Sequence, residues 1–257
     1  RSRGAGQLVM MNLVLIGIGA GAAAALLFAS VLSGALLSIP LFYLAPLPIM
    51  IAGLGWSHWA ALIAAGIGSI SLGLALGTVF FFGFLADAGI PAWWLGYLAM
   101  LARPLAASGN GHEQQPLEWY PPGRIVMWAA ILAAMVVIVA IPNFGTDAQT
   151  FVTGLHDALT RMLRAQMNAP DGSLKLPGGA DPERFINFMV AVMPPTAAIL
   201  AMLTSLLNLW LAGRVVKFSG RLTRPWPDLT AMRAPPLLAI ALALAIALSF
   251  VDGLLGI

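Results

Sequence analysis

The sequence predicts an all-α integral membrane protein, a bundle of about seven transmembrane helices plus one interfacial amphipathic helix. Three observations lead to this fold class. Sixty per cent of the 257 residues are hydrophobic, only 9% are charged, and the mean hydropathy is +0.90. Soluble domains carry roughly 25% charged residues. The 13 basic and 10 acidic residues of this chain are too few to cover a soluble domain of its length.

Long charge-free runs divide the chain into membrane spans. No Asp, Glu, Lys or Arg occurs between Arg3 and Asp87, a stretch that as one helix would measure about 125 Å against a hydrocarbon core of about 30 Å. It must fold back, and Ser38-Ile39-Pro40 and the Gly-rich segment 53–59 mark the breaks. The predicted spans are about 8–37, 41–55, 58–85, 91–106, 124–141, 185–216 and 235–251.

The positive charges predict the orientation. The 214–233 loop holds five basic residues against Asp228 alone, and Arg1 and Arg3 precede the first span. Both segments are therefore expected on the cytoplasmic side, together with the 103–124 loop. We expect a multi-pass protein of the bacterial inner membrane with a cytoplasmic N-terminus. Tryptophans near the predicted interfaces are typical of membrane anchors: Trp56, Trp59, Trp93, Trp94 and Trp128.

The short second span, 41–55, has an alternative interpretation. It carries Pro46 and Pro48 and could be a re-entrant segment. That arrangement would place the basic 214–233 loop outside, so the charges favour a true span. We also expect the native chain to extend beyond residue 257, because no polar tail follows the last span.

An amphipathic helix is predicted over 147–169, in the outer segment 143–184. Its apolar residues recur at helical spacing, opposite Asp157, Arg161 and Arg164. The apolar stripe consists of Phe151, Leu155, Leu159, Met162 and Leu163. Such a helix either packs on the bundle as a lid or lies on the lipid surface as an anchor.

The sixth span contains the candidate ligand-binding residues. Pro194 and Pro195 interrupt it, and broken helices can turn freed carbonyl groups toward a ligand. The alternative is an ordinary proline kink. Asn187 and Asn208 lie on the same span, and an amide in hydrocarbon requires a hydrogen-bonding partner. These four residues form the predicted site.

Small residues recur four apart on the first and third spans, where they let helices approach closely. They serve either to pack this bundle internally or to dock a second membrane protein. The candidate residues are Gly17, Gly21, Ala25, Ala29, Gly73 and Gly77.

Catalytic and metal-binding patterns are missing from the sequence. It has no cysteine, and its histidines, His58, His112 and His156, have no ligand partner at helical spacing. Asp87 and Asp252 are expected at span ends, which disfavours proton-coupled chemistry within the membrane. We therefore expect that the protein is not an enzyme, has no cofactor and does not bind nucleic acid. The partners expected are the lipid bilayer and another membrane protein.

Several segments resemble the YybS-like bacterial membrane proteins of unknown function. They are Met11-Asn12-Leu13 before the first span, the Pro194-Pro195 span, the run 208–214 and the basic loop that reaches Arg224-Pro225-Trp226. That family is distantly similar to the S-components of energy-coupling-factor vitamin transporters. The resemblance implies a small-residue face on the first helix that docks a coupling subunit, at Gly21, Ala25 and Ala29. It also implies a small ligand held toward the outer side.

Two functions follow as hypotheses. The first is a membrane-embedded, S-component-like substrate-binding subunit of a small-molecule uptake system, which docks its partner through the small-residue face of span one. The alternative is a non-transporting scaffold or assembly subunit of a larger membrane complex. The first requires a ligand cavity between spans, whereas the second requires a tightly packed bundle.

Overall fold

The protein is described here from a computed structural model, which describes residues 2–104, 117–140, 148–167 and 181–225. The predicted span 235–251 lies outside these ranges. The chain divides into two compact units. In its described part, the first unit comprises 2–104, 117–132 and 201–225, and the second comprises 133–140, 148–167 and 181–200.

The described residues are mostly helical, which agrees with the predicted all-α class. The helices are α1 (Ser2–Ala29), α2 (Ser38–Tyr43), α3 (Pro46–Gly55), α4 (His58–Leu76), α5 (Thr78–Phe84), α6 (Ile90–Ala99), α7 (Pro122–Ala140), α8 (Ala148–Gln166) and α9 (Pro182–Phe218). A 3-10 turn spans Ser30–Ser33, a π-helical turn spans Leu85–Gly89, and the short strands β1 (Ala102–Pro104) and β2 (Leu117–Trp119) pair antiparallel.

Six helical segments among the described residues are long and apolar enough to cross a membrane. They are Met10–Ser33, Ser38–Gly55, His58–Leu76, Thr78–Ala99, Pro122–Ala140 and Pro182–Phe218. Many large apolar side chains on them face outward; Leu74 and Val79, for example, are 86% and 80% exposed. A soluble surface rarely shows so much contiguous apolar area. The six helices are consistent with a multi-pass membrane protein in contact with lipid.

The helix bounds differ from the predicted spans most clearly around Gly77. The predicted third span, 58–85, is divided between two helices, because α4 ends at Leu76 and α5 begins at Thr78. Gly77 has a φ of +102°, a conformation that L side chains rarely adopt, and it turns the chain between them. The residues from Thr78 to Ala99 then form one span of their own, which ends before the 106 expected for the fourth.

The second span consists of two helices. α2 ends at Tyr43 and α3 begins at Pro46, whose missing N–H suits the first turn of a helix. The break between α3 and α4 follows Gly55. There, Ser57 has an extended backbone, and its hydroxyl accepts a hydrogen bond from the Trp59 backbone N–H at 3.3 Å.

Small residues fill the core of the first unit where α1 meets α4. An added Cβ on Gly21 would lie 2.5 Å from the carbonyl oxygen of Ala64, and one on Gly17 would lie 2.7 Å from Cγ2 of Ile63. Neither position leaves room for a side chain. The close approach of α1 and α4 therefore depends on glycine at both.

The core of the second unit joins α8 to the first part of α9. Phe151, Leu155 and Leu159 are buried against Ile186 and Val190. The first three belong to the apolar stripe predicted over 147–169, whereas Met162 from the same stripe is 54% exposed. Most of the apolar face of α8 is thus covered by its own chain.

Candidate functional site

Two basic segments meet at one end of the first unit. Nη1 of Arg224 donates a hydrogen bond to the carbonyl oxygen of Ala99 at 2.7 Å, and Nη2 donates to the carbonyl oxygen of Tyr120 at 2.9 Å. Ala99 is the last residue of α6, where carbonyl groups have no partner further along the helix. Arg224 therefore caps α6 and brings the segment after α9 to the segment that precedes α7.

A short hairpin forms the other side of this contact. α6 ends at Ala99, and the Met100 N–H that follows donates hydrogen bonds to the carbonyl oxygens of Gly96 and Tyr97. β1 and β2 then pair, with Arg103 opposite Glu118 and 2.7 Å between Nε and Oε2. The sequence predicts only a loop over 103–124, because strands of three residues are too short to show an alternating pattern.

A cavity of about 300 Å³ lies behind Arg224 in the first unit. The ends of α3 and α6, the start of α7, the second part of α9 and the segment that follows it supply its walls. Apart from the guanidinium of Arg224, the side chains that line it are aliphatic or aromatic. They belong to Leu54, Ala99, Met100, Pro122, Ile125, Val126, Leu206, Leu209, Trp210, Leu222 and Pro225, and Gly213 completes the wall.

The guanidinium of Arg224 is the polar group of this cavity. Two of its N–H groups bond to carbonyl oxygens, and among the described residues its three other N–H groups have no acceptor. Burial lowers the pKa of the Arg224 guanidinium from its ordinary value. The side chain nevertheless stays charged, because arginine is not deprotonated in proteins.

The electrostatic environment of this end is positive. The described parts of its two segments, 100–124 and 214–225, contain six basic residues and one acidic residue, Glu118. Glu118 pairs with Arg103, and both side chains are substantially exposed. Such an excess of positive charge attracts anions and raises their local concentration.

Aromatic rings contact several of these cations. The guanidinium of Arg221 lies 4.6 Å from the ring centroid of Trp56, and that of Arg224 lies 5.9 Å from the ring of Trp119. Both distances are within the range of a cation–π contact. The first predicted anchor, Trp56, thus also positions a basic residue of the 214–225 segment.

A second aromatic cluster supports Tyr120, whose carbonyl group receives Arg224. Nε1 of Trp128 donates to the Tyr120 hydroxyl at 3.2 Å, and the Trp128 ring packs edge-on against Trp94 at 5.3 Å. Trp94 in turn contacts Trp93 on α6. The tryptophans predicted as membrane anchors on α6 and α7 therefore also pack against one another.

The four predicted ligand-binding residues fall in both units: Asn208 belongs to the first, and Asn187, Pro194 and Pro195 belong to the second. Asn208 is fully buried, but its Nδ2 donates to the carbonyl oxygens of Tyr43 and Thr204, both at 2.8 Å, and it does not line the cavity. Asn187 lies 21 residues earlier on α9. It is exposed, as is Pro195, and Pro194 is half-buried within a helix that continues through both prolines.

Asn208 compensates for a break in the neighbouring helix. In a continuous helix the Leu47 N–H would donate to the Tyr43 carbonyl oxygen, but it donates to Leu44 instead. The Tyr43 carbonyl group is then free to accept from Asn208 at 2.8 Å. The buried amide therefore connects α9 to the end of α2, and this role is structural.

The predicted docking residues are largely covered by their own chain. Gly17 and Gly21 face α4, and Ala25 is only 6% exposed. Gly73 packs on Phe81 of α5, since an added Cβ would lie 3.0 Å from that residue's Cβ. The two remaining residues, Ala29 and Gly77, are half-buried at the end of α1 and exposed at the turn before α5, respectively.

Comparison of the chain with protein-family models, with curated proteins and with solved structures finds no match. The candidate site therefore depends on geometry alone. In the sequence, Arg224 is one of the basic residues that predict the orientation and part of the Arg224-Pro225-Trp226 resemblance. The signal that could have singled it out is its place directly before a proline at the end of a basic loop.

Proposed function

We propose that the protein is a membrane-embedded binding subunit of a small-molecule uptake system and that its ligand is a compact amphiphile with an acidic group. The observation that carries this proposal is the apolar cavity of about 300 Å³ with the guanidinium of Arg224 in its wall. This volume is at the lower end of the range for ligand sites, about 300–1,000 Å³.

The chemistry of the cavity favours an anion that has an apolar part. Leu54, Ile125 and Leu209 supply aliphatic walls, and burial of apolar surface contributes about 25 cal/mol per Å². A carboxylate or phosphate group could accept from the N–H groups that Arg224 has left, and a hydrogen bond to a charged group contributes about 1.5–3 kcal/mol. A neutral amphiphile lacks the second contribution.

The cavity is at the basic end, which the charge distribution predicts to be cytoplasmic. The resemblance to S-components implies a ligand held toward the outer side. We therefore propose that this cavity represents an inward-facing arrangement, from which a ligand would be released. We also propose that the chain is a YybS-like membrane protein.

The membrane partner in this proposal does not bind at Gly17 and Gly21. α4 occupies that face of α1 and leaves no space for a second protein. Coupling to a partner then has to use a surface that the first unit leaves exposed, such as the outer face of α1 at Leu15 and Ile18.

The test is ligand binding to the purified chain in nanodiscs of neutral lipid. Decanoate is the probe, decanol is its uncharged counterpart and acetate lacks the chain. We expect thermal stabilisation by decanoate only, and a loss of about 10-fold to 100-fold in affinity for Arg224→Gln, which corresponds to about 1.5–3 kcal/mol. Arg103→Gln is the matched control, because Arg103 is exposed at the same end but does not line the cavity.

A second pair of variants tests the cavity itself. Val126→Trp fills it from α7, whereas Val139→Trp adds the same bulk at a position of α7 that is 60% exposed. We expect the first variant to lose decanoate binding and the second to retain it. Equal binding by both variants would show that the cavity is not the ligand site.

The alternative function, a scaffold or assembly subunit, is favoured by one observation. The interface of α1 and α4 is closed by glycine so tightly that no ligand fits there. A scaffold would co-purify with a larger membrane complex and would be indifferent to Val126→Trp. Affinity purification of the chain and the variant from native membranes, with the bound proteins identified by mass spectrometry, separates the two functions.

A further inference from the structure

Asp87 lies at the middle of a candidate membrane span. The charge pattern predicts it at a span end, but the end of α4 at Leu76 changes its position. It is the tenth of the 22 residues of the span Thr78–Ala99, and its side chain is partly buried. A carboxyl group at this height is costly in hydrocarbon and usually has a function.

Packing contacts among three spans also place Asp87 level with the centres of its neighbours. An added Cβ on Gly68 would lie 2.6 Å from the Phe84 ring, and one on Gly89 would lie 3.3 Å from Cβ of Ala65. Asp87 falls between Phe84 and Gly89, so it is level with the centre of α4. Gly21, which packs against the same part of α4, is itself central in the span Met10–Ser33.

A π-helical turn surrounds Asp87, and Pro91 accounts for it. In an α-helix the N–H of residue 91 would donate to the Asp87 carbonyl oxygen, but proline has no N–H. The Ile90 N–H donates to the Leu85 carbonyl oxygen, one residue further back than in an α-helix, and this bond widens the turn. π-helical turns of this kind are frequent at functional sites.

Among the described residues, no basic side chain on the elements packed against the π-helical turn could neutralise the carboxylate. The elements packed against the π-helical turn are α3, α4, α5 and α6, and none contains Lys, Arg, Asp or Glu. Their titratable residues are His58 and Tyr97, which lie about 12 Å and 15 Å away along their helices. In the part of the chain that the structure describes, the Asp87 carboxyl group has neither an ion pair nor a hydrogen bond.

We infer that Asp87 is a proton-binding site at the centre of the membrane. The carboxylate takes a proton from hydronium to give a neutral carboxylic acid and water, and the reverse step releases the proton when water reaches the group. A metal ion would need several oxygen ligands, and the packed elements supply no second carboxylate. The site is distinct from the cavity, since Ala99 lies about 18 Å further along the helix axis.

A hydrophobic carbodiimide tests this inference on the chain in liposomes. The carboxylic acid gives its proton to a nitrogen of the reagent, and its oxygen bonds to the central carbon; the adduct then rearranges to a stable N-acylurea. Peptide mass mapping locates the label. We expect the reagent to label Asp87 at least tenfold more than Asp181, an exposed carboxylate near Arg184, and labelling to fall as the pH is raised.

Variants and a second reagent complete the test. Asp87→Glu keeps a carboxyl group and should be labelled, whereas Asp87→Asn should lose the label and also the infrared carbonyl band of the protonated acid. A water-soluble carbodiimide should label Asp181 and spare Asp87. The inference is overturned if the hydrophobic reagent spares Asp87 throughout the pH series, or if the two reagents label it equally. Wild-type mapping decides the matter even where a variant does not fold.

Discussion

The centre and the basic end of the first unit are packed in opposite ways. At the centre, α1 and α4 approach so closely that a Cβ on Gly21 would lie 2.5 Å from the Ala64 carbonyl oxygen. At the basic end the same unit leaves a cavity of about 300 Å³. Small residues close the space between helices, whereas large side chains and helix ends keep it open.

The difference explains why the two regions have different chemistry. Within a helix each backbone group has a partner, so the centre of the unit needs only shape complementarity. At the end of α6 the carbonyl group of Ala99 lacks a partner, and Arg224 supplies one. A charged group and an apolar cavity therefore arise together where helices end.

The largest expected effect comes from filling the closed centre. Gly21→Leu places a side chain against the backbone of α4, and we expect a loss of at least about 3 kcal/mol of stability or a failure to fold. Gly19→Leu is the matched control, because nothing lies within 4 Å of an added Cβ there. Thermal unfolding in detergent measures both, and equal stabilities would contradict the close contact of α1 with α4.

An intermediate effect is expected from Asn208, which joins helices by hydrogen bonds instead of small residues. Asn208→Leu conserves bulk but leaves the Tyr43 carbonyl group without its donor, so we expect a loss of about 1–3 kcal/mol. Leu207→Ala alters an exposed neighbour and should cost less. Urea unfolding of the two variants, with ligand-free protein, tests the comparison; a stable Asn208→Leu protein would contradict a structural role.

The smallest effect is expected at the basic end. Trp128→Phe removes the indole N–H that bonds the Tyr120 hydroxyl but keeps an aromatic ring beside Trp94. We expect a loss of about 0.5–1.5 kcal/mol. Trp59→Phe, at a ring that is 58% exposed, is the control and should change the melting temperature less. A larger loss for the control would show that the cluster does not support Tyr120.

The spacing of apolar residues within one segment could be interpreted from the sequence. The spacing of Phe151, Leu155 and Leu159 predicted an amphipathic helix, and α8 is a helix over Ala148–Gln166. The face it covers, at Ile186 and Val190, was not predictable, because periodicity shows which side is apolar but not what packs on it.

The candidate site was the least predictable part. It combines Leu54, Ala99, Val126 and Arg224, residues that are far apart in the sequence and share no motif. The sequence suggests Asn187 and Asn208 as site residues because both are polar and lie on one span, but 21 residues of helix separate them. Spacing along a chain cannot show which helix ends meet, so a site built at such ends stays hidden.

The sequence by itself determined the class of protein and the positions of most breaks, because hydropathy, charge and proline or glycine act through local physics. Long apolar runs cannot remain in water, and Pro46, which has no N–H, suits the first turn of a helix. The tertiary structure decided which residues of different helices lie beside one another. It turned the chain at Gly77, which moved Asp87 from a span end to a span centre, and it joined Arg224 to α6. Both outcomes depend on contacts between distant segments, and the free energy of those contacts is absent from any local pattern.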